Sequence, residues 1–337
     1  MKNYLKGVDG LRAICALIIL LGHIPAKSFT DWTIISLPLP VCVAYVFFVI
    51  SGFLAGNGMA NIVSSRKYLI KKVKRIFPLY FSYILVSVVV FVILHRSEEI
   101  INSRIWYYLL ILPSIPFCKS VGLVPLVHLW FIGSLFLFYL AFSLFAKLCY
   151  NKGDRNAIVC ASIICLVWFS IKMICRFVLG NNSFAYRFVS VTCFDVFFVG
   201  VIGGIIVRKH APLSAVLATI IMVVSWLLLL LSSFYGHYIP APIRIEYIAF
   251  LSLIILISQQ KASSASFLDN KIFRWLASIS YEIYVTQILV IILLSSFYTS
   301  LNLIFCDFAI YLVSVMIVLV CSWIWNLFLG YVNRFLI

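Results

Sequence analysis

An all-α, polytopic membrane bundle of about ten helices is the fold class this sequence predicts, and three observations carry it. Of 337 residues, 64% are hydrophobic and 11% charged, whereas soluble domains run nearer about 45–50% apolar and about 25% charged. The mean hydropathy is +1.14. The polar breaks are dispersed along the whole length, which argues for one continuous domain over residues 1–337. A soluble globular protein is excluded. Nucleic-acid binding is a weak reading of the formal charge of +16, because no separate basic domain carries it.

A helix needs about twenty apolar residues to cross the hydrocarbon core. At that length the apolar runs predict spans at 11–30, 38–60, 76–95, 126–148, 157–179, 189–207, 213–235, 242–258, 277–298 and 308–332. The first run follows Lys2 and Lys6 and mimics a secretory signal. It reads as a span, because no small-residue cleavage site follows and further spans come at once. The third begins near Pro78, which marks a helix start or kink. The segment from Ile105 to Phe117 is apolar but short and broken by Pro113 and Pro116, so it reads as re-entrant or interfacial. The ten cysteines include no C-x-x-C spacing, and Cys15, Cys160, Cys165, Cys193 and Cys321 lie within apolar runs. They read as small free hydrophobes. Cys42 and Cys118 could fall near an oxidising face, with no basis for pairing them.

Charge orients the bundle. With the N-terminus inside and loops assigned alternately, seventeen of the 26 basic residues fall inside and eight outside, Lys172, Arg176 and Arg187 among the latter; Arg12 lies at the first margin. The positive-inside rule then makes both termini cytoplasmic.

Arg12 and His23 bracket the run VDGLRAICALIILLGH. Eleven positions are roughly three whole helical turns, so both side chains share a face about 16 Å apart along the axis. An ionisable group within a span is costly and points to function. An imidazole in line with a guanidinium suggests catalysis on something long, thin and anionic at one end. The loop RKYLIKKVKRIFPLY places six cations, Lys71, Lys72 and Arg75 among them, before Pro78. It reads either as a topology signal touching anionic lipid or as a phosphate clamp. Arg12 on the same face favours the clamp.

Other polar positions interrupt the spans. Ser51 and Gly52 in FFVISGFLAG suit close helix packing. His128, Trp130 and Tyr139 in HLWFIGSLFLFYL open the fourth span near the outer face, where an aromatic belt accounts for the tryptophan and tyrosine but not for the histidine. Asp195 needs a buried partner, with Arg187 a candidate. Tyr281, Glu282, Tyr284 and Gln287 bring polar groups to the start of the ninth span, where Glu282 is either solvated or functional.

Taken in order, GVDGLRAICALIILLGH, FFVISGFL, KKVKRIFPLY, HLWFIGSLFLFYL, FDVFFVG and SYEIYVTQ resemble the acyltransferase-3 family of integral-membrane acyltransferases over nearly the whole chain. The resemblance implies an O-acyltransferase of the bacterial cytoplasmic (inner) membrane. It would move an acyl group, acetyl by default, from cytoplasmic acyl-coenzyme A to a hydroxyl of a surface glycan such as O-antigen (lipopolysaccharide biosynthesis) or capsule, with a lipid-linked acceptor. It implies His23 as catalytic base with Arg12 as partner. Coenzyme A phosphates would sit on Arg12, Lys71, Lys72 and Arg75, and the acceptor against His128, Trp130, Tyr139, Ser51, Tyr281, Glu282 and Gln287. Acetyl-coenzyme A enters as co-substrate, and neither a resident cofactor nor a metal is expected.

Three departures stand out. The family's Arg-x-x-Arg motif falls on Lys72 and Arg75, so its first position lacks the guanidinium fork. Ser134 and Leu135 stand where many members carry a glutamate, and Gln287 where many carry a histidine. Members with an extracytoplasmic hydrolase-like domain are longer, so this chain is expected to act alone. The competing class is a glycan or lipid transporter with His23 as proton relay, which inverted repeats would support; none is visible in the sequence.

Overall fold

The computed structural model describes residues 5–24, 39–62, 64–95, 98, 104–120, 124–149, 153–209, 214–235, 239–300 and 308–335. Its elements are α1 (Val8–His23), α2 (Leu39–Gly58), α3 (Ser65–Ile93), the short α4 (Trp106–Leu109), α5 (Ser114–Cys118) and α6 (Val124–Val127), then α7 (Trp130–Cys149), α8 (Gly153–Val178), α9 (Phe184–Val191), α10 (Phe194–Lys209), α11 (Ala215–Tyr235), α12 (Ala241–Ser258), α13 (Lys271–Ser278), α14 (Ser280–Ser300) and α15 (Phe308–Phe335). Each of the ten apolar runs contains one long helix, and no strand occurs among the described residues. Seven of these helices are long and apolar enough to cross a membrane, and two shorter apolar stretches, Cys42–Gly58 and Ala215–Leu231, accompany them. The chain is an all-α polytopic membrane protein. The expected second half of the first span, residues 25–30, lies outside the described residues, as do Lys2, Lys27, Arg96 and Lys152.

The basic stretch expected as a loop is helical. Ser64 caps α3, its hydroxyl accepting from the Lys67 amide at 3.4 Å, so the helix starts before the cations and runs for 29 residues. Pro78 therefore lies inside α3 and does not start it. The stretch from Ile105 to Phe117 forms α4 and α5, too short to span, on either side of a break at Ile111 with φ of 60°.

The N-terminus of α1 is fixed by the segment after α12. Lys6 exchanges backbone bonds with the Gln260 side chain at 3.0 and 3.1 Å, and Asp269 accepts from the Gly7 amide at 2.8 Å. Gly10 lets the 263–269 turn approach: a Cβ there would stand 2.4 Å from the Leu268 carbonyl oxygen. These ties set the depth of α1, and with it the height of Arg12.

The bundle's centre is the seam between α2 and α10. Glycines recur every four residues on both, at Gly52 and Gly56 and at Gly200 and Gly204. Added Cβ atoms would fall 1.9 Å from the Phe197 oxygen, 2.1 Å from that of Val201, 2.1 Å from that of Val49 and 2.1 Å from that of Phe53, respectively. Small residues let membrane helices close to backbone contact where lipid gives no hydrophobic drive. The close-packing reading of Gly52 holds. Against the seam stacks an aromatic core of Phe48, Phe131, Phe138 and Phe197, with centroids 4.6 to 5.0 Å apart along the chain of contacts. Cys15, Cys42, Cys118, Cys160, Cys165, Cys175, Cys193 and Cys321 are free thiols, and burial pushes that of Cys118 up to about 12.

Candidate functional site

One cavity gathers the cations read from the sequence. It opens where α1, α3 and α14 begin and α2 ends, and its volume is about 90 Å³. Arg12, Lys72 and Arg75 line it with Ser51 of α2, Tyr139 of α7, and Ser280, Tyr281 and Tyr284 of α14. Arg12 donates to the Ser280 hydroxyl at 3.1 Å and pairs with Asp9 at 3.6 Å. The Lys72 ammonium lies 4.5 Å from the Tyr139 ring centroid and 5.5 Å from that of Tyr68. Arg75 is within electrostatic range of Arg12 and Glu282. Three cations from two helices thus converge with fewer anions than would neutralise them, which suits an anionic ligand.

Helical phase decides which cations belong. Lys72 and Arg75 are three apart and share a face, whereas Lys71 is turned about 100° away. Lys71 is exposed and outside the cavity. Tyr139 lines the cationic cavity, eleven positions and about three helical turns from His128. Trp130 stacks on Phe117 at 5.2 Å and lines no part of the cavity. Glu282 is buried, not solvated. One of its oxygens accepts from Asn326 at 2.8 Å and the other is unpartnered among the described residues.

Phe131 and Tyr284, whose rings are 4.8 Å apart, also line the cavity. His128 lies behind Tyr284, ring centroids 5.5 Å apart, and His23 is within electrostatic range of His128. Arg12 and His23 occupy one uninterrupted helix, but His23 is not in the cavity lining. Its Nδ1 donates to the Ile19 carbonyl at 2.7 Å, since a carbonyl oxygen only accepts. Nε2 therefore holds the lone pair of the neutral ring. Gln287 is fully buried and neither of its amide atoms finds a partner among the described residues.

A second polar cluster was not legible. Lys172 of α8 meets Asp195 of α10 at 2.5 Å and Glu246 of α12 at 2.6 Å, with lysine and aspartate side chains wholly buried. Lys172 is thus buried inside the bundle on α8, not in an outer loop. Arg187 is not the partner of Asp195: the helix is interrupted at Thr192–Cys193, and α9 directs Arg187 to the Ser120 hydroxyl at 3.0 Å and the Cys118 carbonyl at 3.4 Å. A lysine inside the run FSIKMIC was the available signal.

The family model for an acyltransferase domain matches residues 5–326, which takes in all the cavity residues and both histidines. The chain belongs to the acyltransferase-3 family. Among curated proteins it is similar to the O-acetyltransferase OatA of Staphylococcus aureus, in strains NCTC 8325, COL and Mu50 alike. Each is 25% identical over 337 aligned positions, covering 88% of this chain and 52% of the relative. The chain spans about half the length of the curated relatives it matches. No solved structure matches it. The match is thus to an acyltransferase domain, carried on a chain whose described helices are those of a polytopic membrane protein.

Proposed function

We propose that this protein moves an acyl group, acetyl by default, from cytoplasmic acyl-coenzyme A to a hydroxyl of a surface glycan, with His23 as base. The observation that carries the reading is the meeting of Arg12, Lys72 and Arg75 at one aromatic-walled cavity on the helix that also bears His23. The charge bias of the loops supports cytoplasmic termini, hence a cytoplasmic mouth, in a bacterial inner membrane.

Coenzyme A carries phosphates at one end and a thioester on a slender arm. The three cations suit the phosphates, Lys72 as a point charge and the arginines as forks. The roughly 16 Å from Arg12 to His23 along α1 suits the arm. His23 Nε2, left bare by the bond from Nδ1 to Ile19, takes the proton of the attacking hydroxyl. The hydroxyl oxygen bonds to the acyl carbon, the carbon–sulfur bond breaks, and the proton passes from His23 to the departing thiolate. Ser51, Tyr281 and Glu282 sit with the cations, so they serve the donor side in this reading. The relatives' printed activity, O-acetyl transfer, agrees with the acyl group proposed.

The test compares base-released acetate from the surface glycan of cells with and without the intact gene, and titrates coenzyme A into the detergent-solubilised protein. Acetate that depends on the gene, with measurable coenzyme A binding, is expected. Unchanged acetate and no binding would overturn the reading in favour of a transporter.

A further inference from the structure

His128 sits in the two-residue break between α6 and α7 and is 6% exposed. Its Nε2 lies 2.9 Å from the carbonyl oxygen of Val285 on α14. That oxygen can only accept, so Nε2 carries the proton of the neutral ring and Nδ1 is an acceptor. Nδ1 is buried with no donor among the described residues. A buried acceptor left without a partner is costly and calls for an explanation.

Its neighbours do not supply a donor. The rings of Tyr83 and Tyr284 pack on the imidazole, each with its centroid 5.5 Å away. Tyr83 already donates to the Pro125 carbonyl at 2.6 Å, and Tyr284 to the carbonyl of His128 itself. His23, within electrostatic range, also presents a bare nitrogen, so neither imidazole can satisfy the other. The buried Nδ1 of His128 therefore asks for a donor other than the hydroxyl that gives its proton to the half-buried His23. A single hydroxyl has one proton to give.

We propose that His128 binds the acyl acceptor: its Nδ1 receives a hydrogen bond from a second, non-reacting hydroxyl of a polyol, while His23 takes the proton of the reacting one. This rests on the hydroxyl-acylation reading above and narrows it to acceptors bearing at least two hydroxyls in reach of one another. Tyr284 then borders both sites, lining the cationic cavity and packing on the His128 imidazole.

Two near-isosteric variants separate this role from a merely structural one. His128→Gln places an amide where Nε2 stands and keeps the bond to Val285, but offers no acceptor at Nδ1. His128→Asn places an acceptor where Nδ1 stands and gives up Val285. Base-released acetate from the cells' surface glycan is the readout, with the melting temperature and coenzyme A affinity of each solubilised variant alongside. For His128→Gln we expect at least a tenfold loss of acetate with unchanged melting and coenzyme A affinity, and for His128→Asn a larger residual activity. His128→Gln at wild-type activity, failing to fold, or more active than His128→Asn would overturn the proposal while leaving the acylation reading intact. Gene-independent acetate in the wild-type strain would sink the acylation reading first.

Discussion

The Lys72 ammonium stands 4.5 Å from the centroid of the Tyr139 ring, joining α3 to α7 across the wall of the cationic cavity. The contact holds a flexible lysine over the cavity with its remaining donors free, and cation–π contacts of this kind are worth about 0.5–2 kcal/mol. Lys72 therefore reaches the cavity as a positioned charge, although the family's arginine fork is missing there.

Lys72→Ala and Arg75→Ala should each weaken coenzyme A binding by about 1–3 kcal/mol, the range of hydrogen bonds to charged groups. Lys71→Ala should leave it unchanged, because Lys71 faces away from the cavity. Calorimetric titration of the three variants checks the phase argument. Equal effects from Lys71 and Lys72 would reduce the stretch to a diffuse charge.

His23→Ala should abolish acylation while leaving insertion and melting near wild type. His23 lies in the last turn of α1, where its one bonded nitrogen serves only its own helix. Normal glycan acylation in a strain expressing the variant well would remove His23 as base.

What the sequence made legible follows from range. Apolar run length is local information, so each predicted run holds a helix among the described residues, seven of them long and apolar enough to cross a membrane. The cations of the cavity announced themselves by clustering before an apolar run. Of the two readings of Pro78, the helix start fails because Ser64 caps a continuous α3 that begins thirteen residues before it. Tyr139 could be placed only once α3 and α7 were seen side by side. Lys172 was hidden for a related reason: near the end of an apolar run, a lysine reads as a loop flank until its carboxylates on α10 and α12 are found.

The seam between α2 and α10 should tolerate no added carbon. Gly52→Ala and Gly200→Ala place a Cβ 1.9 and 2.1 Å from backbone oxygens that cannot retreat without parting the helices. Overpacking of this kind costs about 1–3 kcal/mol. A clear drop in melting temperature is expected for both, whereas Gly58→Ala, with nothing within 4 Å, should be near neutral. Thermal melts in detergent decide it.

Lys172→Met should be among the most damaging single changes. It leaves Asp195 and Glu246 facing one another without their shared cation, and breaking a buried pair costs about 3–5 kcal/mol. Adding Asp195→Asn and Glu246→Gln should recover much of the loss, because the unpaired charges then disappear together. A triple variant that melts no higher than Lys172→Met would show that Lys172 acts through packing and not through charge.

Arg12 allows the cleanest separation of topology from ligand binding. Moving its charge to position 11 would not serve, because Leu11 is fully buried in the core and an arginine there would disrupt packing for unrelated reasons. Arg12→Lys keeps the inside-positive charge, the helix propensity and the position beside Asp9. It loses the planar fork that lets one side chain bond Ser280 and still present further donors to the cavity. If Arg12 only sets orientation, lysine serves equally well and both acylation and coenzyme A affinity stay at wild-type levels. If Arg12 grips a phosphate, the variant should insert normally, as read by cysteine accessibility in the loops, yet bind coenzyme A about tenfold more weakly, about 1.4 kcal/mol. Arg12→Gln, which removes the charge as well, should bind more weakly still. Three equal affinities across arginine, lysine and glutamine would place the phosphate elsewhere in the bundle.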